Sequence, residues 1–256
     1  MTALEALAVL AAGLGSGVLT ATVGVASLLS FPVLLAVGLP PVVANASNTV
    51  GLTPGALSGS FGYRAELREH PRVTVVVLTV CAIGSVGGAL LLLVLPPGVF
   101  EAVVPWLILF TCLLVGVQPS ISSAVRRRAE ARGTVPVDRT TMGPLTTVAT
   151  ALTGVYGGYF GAGSGVMALA VLALGLDLEL RVVNALKTLA ILAANVVASV
   201  IFVVLADLDW AVIGLLAAGS IVGGYVGARI GRRLPGAVLR VAVVVVGVTA
   251  ALLLLR

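Results

Sequence analysis

Apolar residues come in long runs along this chain, and the few polar residues inside those runs fall in a pattern. Residues 182–205 read VVNALKTLAILAANVVASVIFVVL, long and apolar enough to cross a bilayer as a helix, yet they carry Asn184, Lys187, Thr188 and Asn195. At about 100° per residue, Asn184, Lys187, Thr188, Ile191, Asn195 and Ser199 lie on one stripe, which should face the protein interior. A lysine at a helix centre costs roughly 2.5–3.5 kcal/mol on insertion scales, and each Leu, Ile, Val or Phe returns about 0.3–0.6, so this helix is predicted to insert. Two readings of Lys187 stand at this point: a functional charge inside the membrane, or an ammonium that snorkels to the headgroups near Arg181.

The rest of the chain divides in the same way. Residues 4–39 form an apolar run broken by Gly13, Gly15, Gly17, Gly24, Ser27, Ser30 and Pro32, and residues 141–176 repeat that interrupted pattern. Each is too long for one ordinary span and barely enough for two, which predicts a broken helix or a hairpin of short helices. Further spans are expected at 42–63, 73–95, 99–117, 210–230 and 237–255. The loop 64–72 is polar, and 119–139 holds Arg126, Arg127, Arg128, Arg132 and Arg139. The division expected is a first repeat at 1–118, an arginine-rich cytoplasmic connector at 119–140 and a second repeat at 141–256.

Repetition rests on matches that keep their order. Gly17, Gly24 and Ser27 match Gly154, Gly161 and Ser164; NASNT at 45–49 matches NALKT at 184–188; Gly87-Gly88 matches Gly223-Gly224; LPPGVF matches LPGAVL. Loop charge gives the relative orientation. The loop after 42–63 has three arginines, while its counterpart at 206–209 has two aspartates and no base, and the bias reverses one helix later. Matching loops therefore face opposite sides, an inverted repeat. Of eight to ten membrane segments, ten with four short ones place every arginine-rich loop on one side, the cytoplasmic one, with both chain ends outside.

Composition narrows the class. Hydrophobic residues make up 59% of the chain and charged ones 10%, a polytopic all-α membrane protein with no polar stretch long enough for a soluble domain. The first apolar run has no basic region before it, so a cleaved signal peptide is not expected. The net charge of +5 comes from arginines in short loops, where they act as orientation signals, and does not point to nucleic acid. Cys81 and Cys112 lack metal-type spacing and read as small buried apolar residues. His70, Asp177, Glu179, Asp207 and Asp209 read as loop residues. No cofactor and no metal is required.

Inverted repeats with broken helices place a site near the midplane, where the halves meet. Helices starting after the breaks aim unpaired N–H groups at a cavity, which favours an anion. Gly24 and Gly161 are candidate hinges, Ser27 and Ser164 sit at the breaks, and Gly163 and Gly165 would let an oxygen approach the backbone. Asn45, Asn48 and Thr49 share a face of the second span, with Asn48 the counterpart of Lys187. Asn184 and Thr188 join Lys187. These are mainly donors, and the spans offer no central carboxylate, so the set suits a small oxyanion. Gly84, Gly87, Gly88, Gly223, Gly224 and Gly227 are expected to serve close helix packing, and Asn195 and Ser199 to bond a neighbouring helix.

These residues carry a resemblance. GSGVLTATVGVASLLSFPVLLAVGLP, ANASNT, GGYFGAGSGVM and NALKT in two related halves resemble the sulfite exporter TauE/SafE family, also called the 4-toluene sulfonate uptake permease family. The resemblance implies an inner-membrane permease for sulfite, sulfonates or related organosulfur anions. The partners expected are a small anion and the lipid bilayer. Proton or ion coupling stays open, with Lys187 the candidate carrier. A cation permease lacks carboxylates here. An intramembrane hydrolase using Ser164 lacks a base in reach. A non-transporting scaffold would tolerate Lys187→Met.

Overall fold

The structure, a computed structural model, describes residues 1–22, 24–60, 63–132, 141–230 and 236–255. Its elements are α1 (Ala3–Thr22), α2 (Ser27–Ala36), α3 (Pro41–Ser60), α4 (Arg64–Glu69), α5 (Pro71–Val94), α6 (Pro97–Arg132), α7 (Pro144–Tyr159), α8 (Ser164–Gly175), α9 (Leu180–Leu205), α10 (Trp210–Ile230) and α11 (Gly236–Leu254). By length and composition α1, α5, α6, α9 and α10 can each cross a bilayer, and α2 and α8 are shorter apolar helices. Ile83, Val94, Trp106, Leu113, Leu152 and Val204 point outward, as a surface facing acyl chains requires. The chain is an all-α polytopic membrane protein.

Both interrupted runs break into two helices where glycine predicted it. One expectation fails in detail: α1 has 20 residues and is a full-length helix, so only α2, α7 and α8 are short. A second difference is Pro119, which does not end its helix. α6 runs 36 residues, about 54 Å at roughly 1.5 Å per residue, so its last turns extend past the bilayer and the first part of the expected connector is helical. The polar loop after α3 likewise contains the short helix α4.

Packing displays the repeat. α1 lies along α10 as α7 lies along α5; α10 packs on α3 as α5 packs on α9; α2 meets α3 as α8 meets α9. Hydroxyls tie these pairs, though not from equivalent positions: Ser220 donates to the Gly51 carbonyl and Ser85 to the Ala194 carbonyl. The counterparts α3 and α9 run antiparallel. At one end Arg181, at the start of α9, pairs with Glu69 beyond the end of α3; midway Thr53 and Ser199 share a hydrogen bond; at the other end the Asp209 amide donates to Ser47 near the start of α3. Two equivalent helices pointing opposite ways make the repeat an inverted one.

Following the chain from those anchors gives the sidedness. The end of α3, both ends of α4, the starts of α5, α7, α9 and α11, and the ends of α6 and α10 share one face. Thirteen of the fourteen arginines lie at these helix ends or in the segments between them, and Glu5, Glu101, Asp207 and Asp209 belong to the opposite face. Segments 133–140 and 231–235, which hold several of the arginines, lie outside the described residues.

Glycines let the helices touch. A methyl on Gly84 or Gly88 would collide with the Ala151 or Val155 carbonyl, and one on Gly223 with the Leu14 carbonyl, so these positions serve close packing. Gly87 faces open space and has no such role. The contacts also shift the repeat register: Gly154 meets Cys81 as Gly17 meets Ser220, which equates Gly84 with Gly223 and follows the same offset as Asn45 with Asn184. The Gly87-Gly88 match to Gly223-Gly224 is therefore a coincidence of composition. Cys81 and Cys112 are buried and unbridged.

Candidate functional site

The two helix breaks have the same backbone. Gly24 and Gly161 adopt left-handed φ of 81° and 79°, a conformation that costs other residues roughly 1–2 kcal/mol. Each turns its N–H back to a carbonyl of the helix it leaves, Gly24 to Leu19 at 2.7 Å and Gly161 to Tyr156 at 3.0 Å. Such a turn reverses the chain, so each run is a hairpin entering from its own face of the membrane and returning to it. α1 and α2 enter from the opposite face, α7 and α8 from the arginine-rich one.

The hairpin tips meet. Gly24, Ala26 and Ser27 of the first and Gly161, Gly163 and Ser164 of the second line one cavity, completed by Thr20, Leu52, Ala56, Ile191 and Asn195. Ile191 and Asn195 sit at the middle of the 26-residue α9, which places the cavity near the membrane midplane. Its volume is about 30 Å³, room for a water or two, so any larger ion requires the tips to separate. Toward the opposite face, Phe31, Phe100, Tyr159 and Phe160 pack edge to face, Phe31 to Phe160 at 5.4 Å. A larger groove of about 670 Å³ at the start of α7, lined by Leu145, Val171 and Leu174, carries only apolar and hydroxyl side chains and opens outward. It belongs to the lipid-facing surface.

Lys187 stands beside this cavity. It is half-buried, its ammonium lies 3.9 Å from where a Cβ on Gly24 would sit, and among the described residues it makes no hydrogen bond or ion pair. Gly165 closes the other side: a methyl there would crowd Ile191 at 2.7 Å and the Gly24 carbonyl at 3.2 Å. The Gly163 and Gly165 amides have no backbone acceptor among the described residues, leaving N–H groups at the start of α8.

The remaining sequence candidates take different places. Asn184 Nδ2 donates to the Leu180 carbonyl at 2.9 Å, and the Thr188 hydroxyl donates to the Asn184 carbonyl at 2.8 Å, so each places a donor within α9. Thr49 does the same toward Asn45. Asn45 Nδ2 donates to the Tyr159 carbonyl at 2.9 Å and so caps the last turn of α7. Asn48 is fully buried and neither Nδ2 nor Oδ1 has a partner, a condition that costs about 1–3 kcal/mol per group.

Asn195 is the residue that sequence reasoning misplaced. It was expected to bond a neighbouring helix, as Ser199 does with Thr53, but it lines the cavity and has no hydrogen-bond partner among the described residues. The signal was present, since Asn195 lies on the Lys187 stripe. Thr20 also lines the cavity, its hydroxyl donating to the Ser16 carbonyl. Two acidic loop residues have structural work: Asp209 accepts the Ala211 and Val212 amides at the start of α10, and Glu179 pairs with Arg181. No group of three His, Cys, Asp or Glu side chains gathers among the described residues.

Comparison with known proteins supplies the family. The family model for the sulfite exporter TauE/SafE matches residues 9–254. A probable membrane transporter protein of Haemophilus influenzae is 27% identical over 219 residues, covering 85% of this chain and 81% of its own. The probable membrane transporter protein ORF9 of Sinorhizobium sp. is 24% identical over 240 residues, covering 94% of this chain and 88% of its own. No solved structure matches the chain. With a membrane-embedded cavity between inverted repeats and a family match over nearly its whole length, the chain belongs to the sulfite exporter TauE/SafE family of membrane transporters.

Proposed function

We propose that this transporter moves a small sulfur-containing oxyanion, such as sulfite or a sulfonate, across a bacterial inner membrane by alternating access. The observation that carries the reading is the meeting of two glycine-broken hairpins, one from each repeat, in a midplane cavity beside the chain's single lysine. Lys187 supplies positive charge where the described cavity lining has no carboxylate, Asn195, Ser27 and Ser164 supply polar groups, and the N–H groups at the start of α8 supply backbone donors. Asn48 supplies a further unspent amide. Asn45, Asn184, Thr49 and Thr188 shape the helices that carry these groups. Gly24 and Gly161 act as hinges, because only the separation of the tips gives an anion room.

The arginine-rich face is then cytoplasmic, by the excess of basic residues on short loops. Outward movement of an anion would be assisted by an inside-negative potential, about 2.3 kcal/mol per charge per 100 mV. The test is uptake of sulfite, sulfate, thiosulfate and a small sulfonate into proteoliposomes. Wild type is expected to move at least one of these anions, and Lys187→Met to lower that flux by about a hundredfold, the loss of about one strong charge-assisted hydrogen bond, while eluting as a folded species. Flux that survives in Lys187→Met returns the lysine to a snorkelling role. Flux of a cation in place of any anion overturns the reading.

A further inference from the structure

Resting on the anion reading above, we propose that the transport path is asymmetric by construction, binding the anion more tightly from the Lys187 side than from the Asn48 side. The argument begins with the antiparallel pair α3 and α9. The register that equates Asn45 with Asn184 equates Asn48 with Lys187, so the two occupy matching depths on either side of the midplane. On α9, Ile191 and Asn195 of the cavity follow Lys187 away from the arginine-rich face. On α3, Leu52 and Ala56 follow Asn48 toward it. Along the membrane normal the order is therefore Lys187, cavity, Asn48.

Both residues are unspent. Lys187 makes no hydrogen bond or ion pair among the described residues, and Asn48 is the one side chain there with both a donor and an acceptor buried and unpaired. Their neighbours on the same helices are each engaged: Asn45 donates to the last turn of α7, and Thr49, Asn184 and Thr188 bond within their own helices. A buried amide that finds no partner in the closed state is free to take one when the path opens from its side. The anion at that stage meets a neutral donor, whereas at the mirror-related stage it meets an ammonium. Charge-assisted hydrogen bonds are about twice as strong as neutral ones, so half-saturation from the Lys187 side is expected at a concentration about tenfold lower.

The experiment uses the full chain in inside-out and right-side-out membrane vesicles, with sulfite as the probe, or whichever of sulfate, thiosulfate and a small sulfonate is moved. The expected result is a half-saturating concentration about tenfold lower from the arginine-rich face in wild type. Asn48→Lys should bring the two faces within about twofold, and Asn48→Lys combined with Lys187→Asn should reverse their order. Asn48→Asp, which keeps the shape and adds a repelling charge, should weaken binding from the Asn48 face alone. It keeps the proposal testable where Asn48→Lys does not fold. Equal half-saturation from both faces of wild type, or an Asn48→Asp effect of equal size on both, overturns the asymmetry and leaves the anion reading standing. No flux of any of the four anions overturns the anion reading itself.

Discussion

The two hairpin tips share one turn and differ in how it is fastened. At the second, the Tyr156 hydroxyl donates to the Ala162 carbonyl at 2.6 Å, and Thr111 of α6 lies within hydrogen-bond reach of both, at 2.9 Å from the Tyr156 oxygen and 3.0 Å from the carbonyl. The residue before α8 is left-handed Gly163, seated against Thr111. At the first, the position matching Tyr156 is Leu19, with no hydroxyl, and the residue before α2 is the right-handed Ala26. Its carbonyl is held by Ser16 from α1, the helix it has just left. Among the described residues, the second tip is thus bolted to a helix outside its hairpin, while the Ala26 carbonyl of the first takes its side-chain bonds from its own hairpin. Under the alternating access proposed above, the first hairpin is the one expected to move.

The largest expected effect that tests this contrast comes from methylating the two tips. Gly163→Ala forces a left-handed alanine, roughly 1–2 kcal/mol, and presses its methyl on Thr111 for about 1–3 more, so a loss of about 2–5 kcal/mol is expected. Gly24→Ala meets the same backbone strain, but its nearest neighbour is the flexible end of Lys187 at 3.9 Å, so the loss should stop at about 1–2 kcal/mol. Thermal unfolding in detergent measures both. Equal shifts in Tm would mean that Thr111 does not hold the second tip. Next in size is Ser16→Ala. Ser16 is fully buried, and its removal takes away the shortest contact to the Ala26 carbonyl, at 2.9 Å, leaving the Leu29 amide at 3.1 Å and Ser30 at 3.4 Å, a loss of about 0.5–1 kcal/mol that should raise amide hydrogen exchange at 26–30 before any other segment.

What could be read beforehand follows a physical line. Glycine at Gly24 and Gly161 announced breaks because only glycine takes those φ values cheaply, and arginine-poor against arginine-rich loops announced inversion because charge orients helices. NASNT and NALKT located the central pair of helices. The site was less legible, because a polar side chain on a helix chooses between the carbonyl four residues back and the space in front of it. Thr188 and Asn184 chose the carbonyl, while Asn195, on the same stripe, faces the cavity. That choice depends on which helix stands opposite. The start of the connector was misplaced for a related reason: the end of the apolar run near 117 marks where the bilayer stops, and α6 continues beyond it to Arg132.

The smallest single effect expected is that of Tyr156→Phe, and the reason is the arithmetic of one proton. Thr111 has a single hydroxyl hydrogen and three acceptors in reach: the Leu107 carbonyl, the Tyr156 oxygen and the Ala162 carbonyl. While Tyr156 donates to Ala162, the threonine proton serves one of the others. Remove the tyrosine hydroxyl and Thr111 turns its proton to Ala162, so the carbonyl stays satisfied and the loss should be about 0.5 kcal/mol or less. Thr111→Val alone leaves the stronger tyrosine bond in place. The double variant leaves the buried carbonyl bare, and its cost should exceed the sum of the singles by about 1 kcal/mol or more, a coupling read directly from a thermal-unfolding cycle. Additive losses would mean that the carbonyl finds another donor, and with that the contrast between a fixed second tip and a free first one would fail.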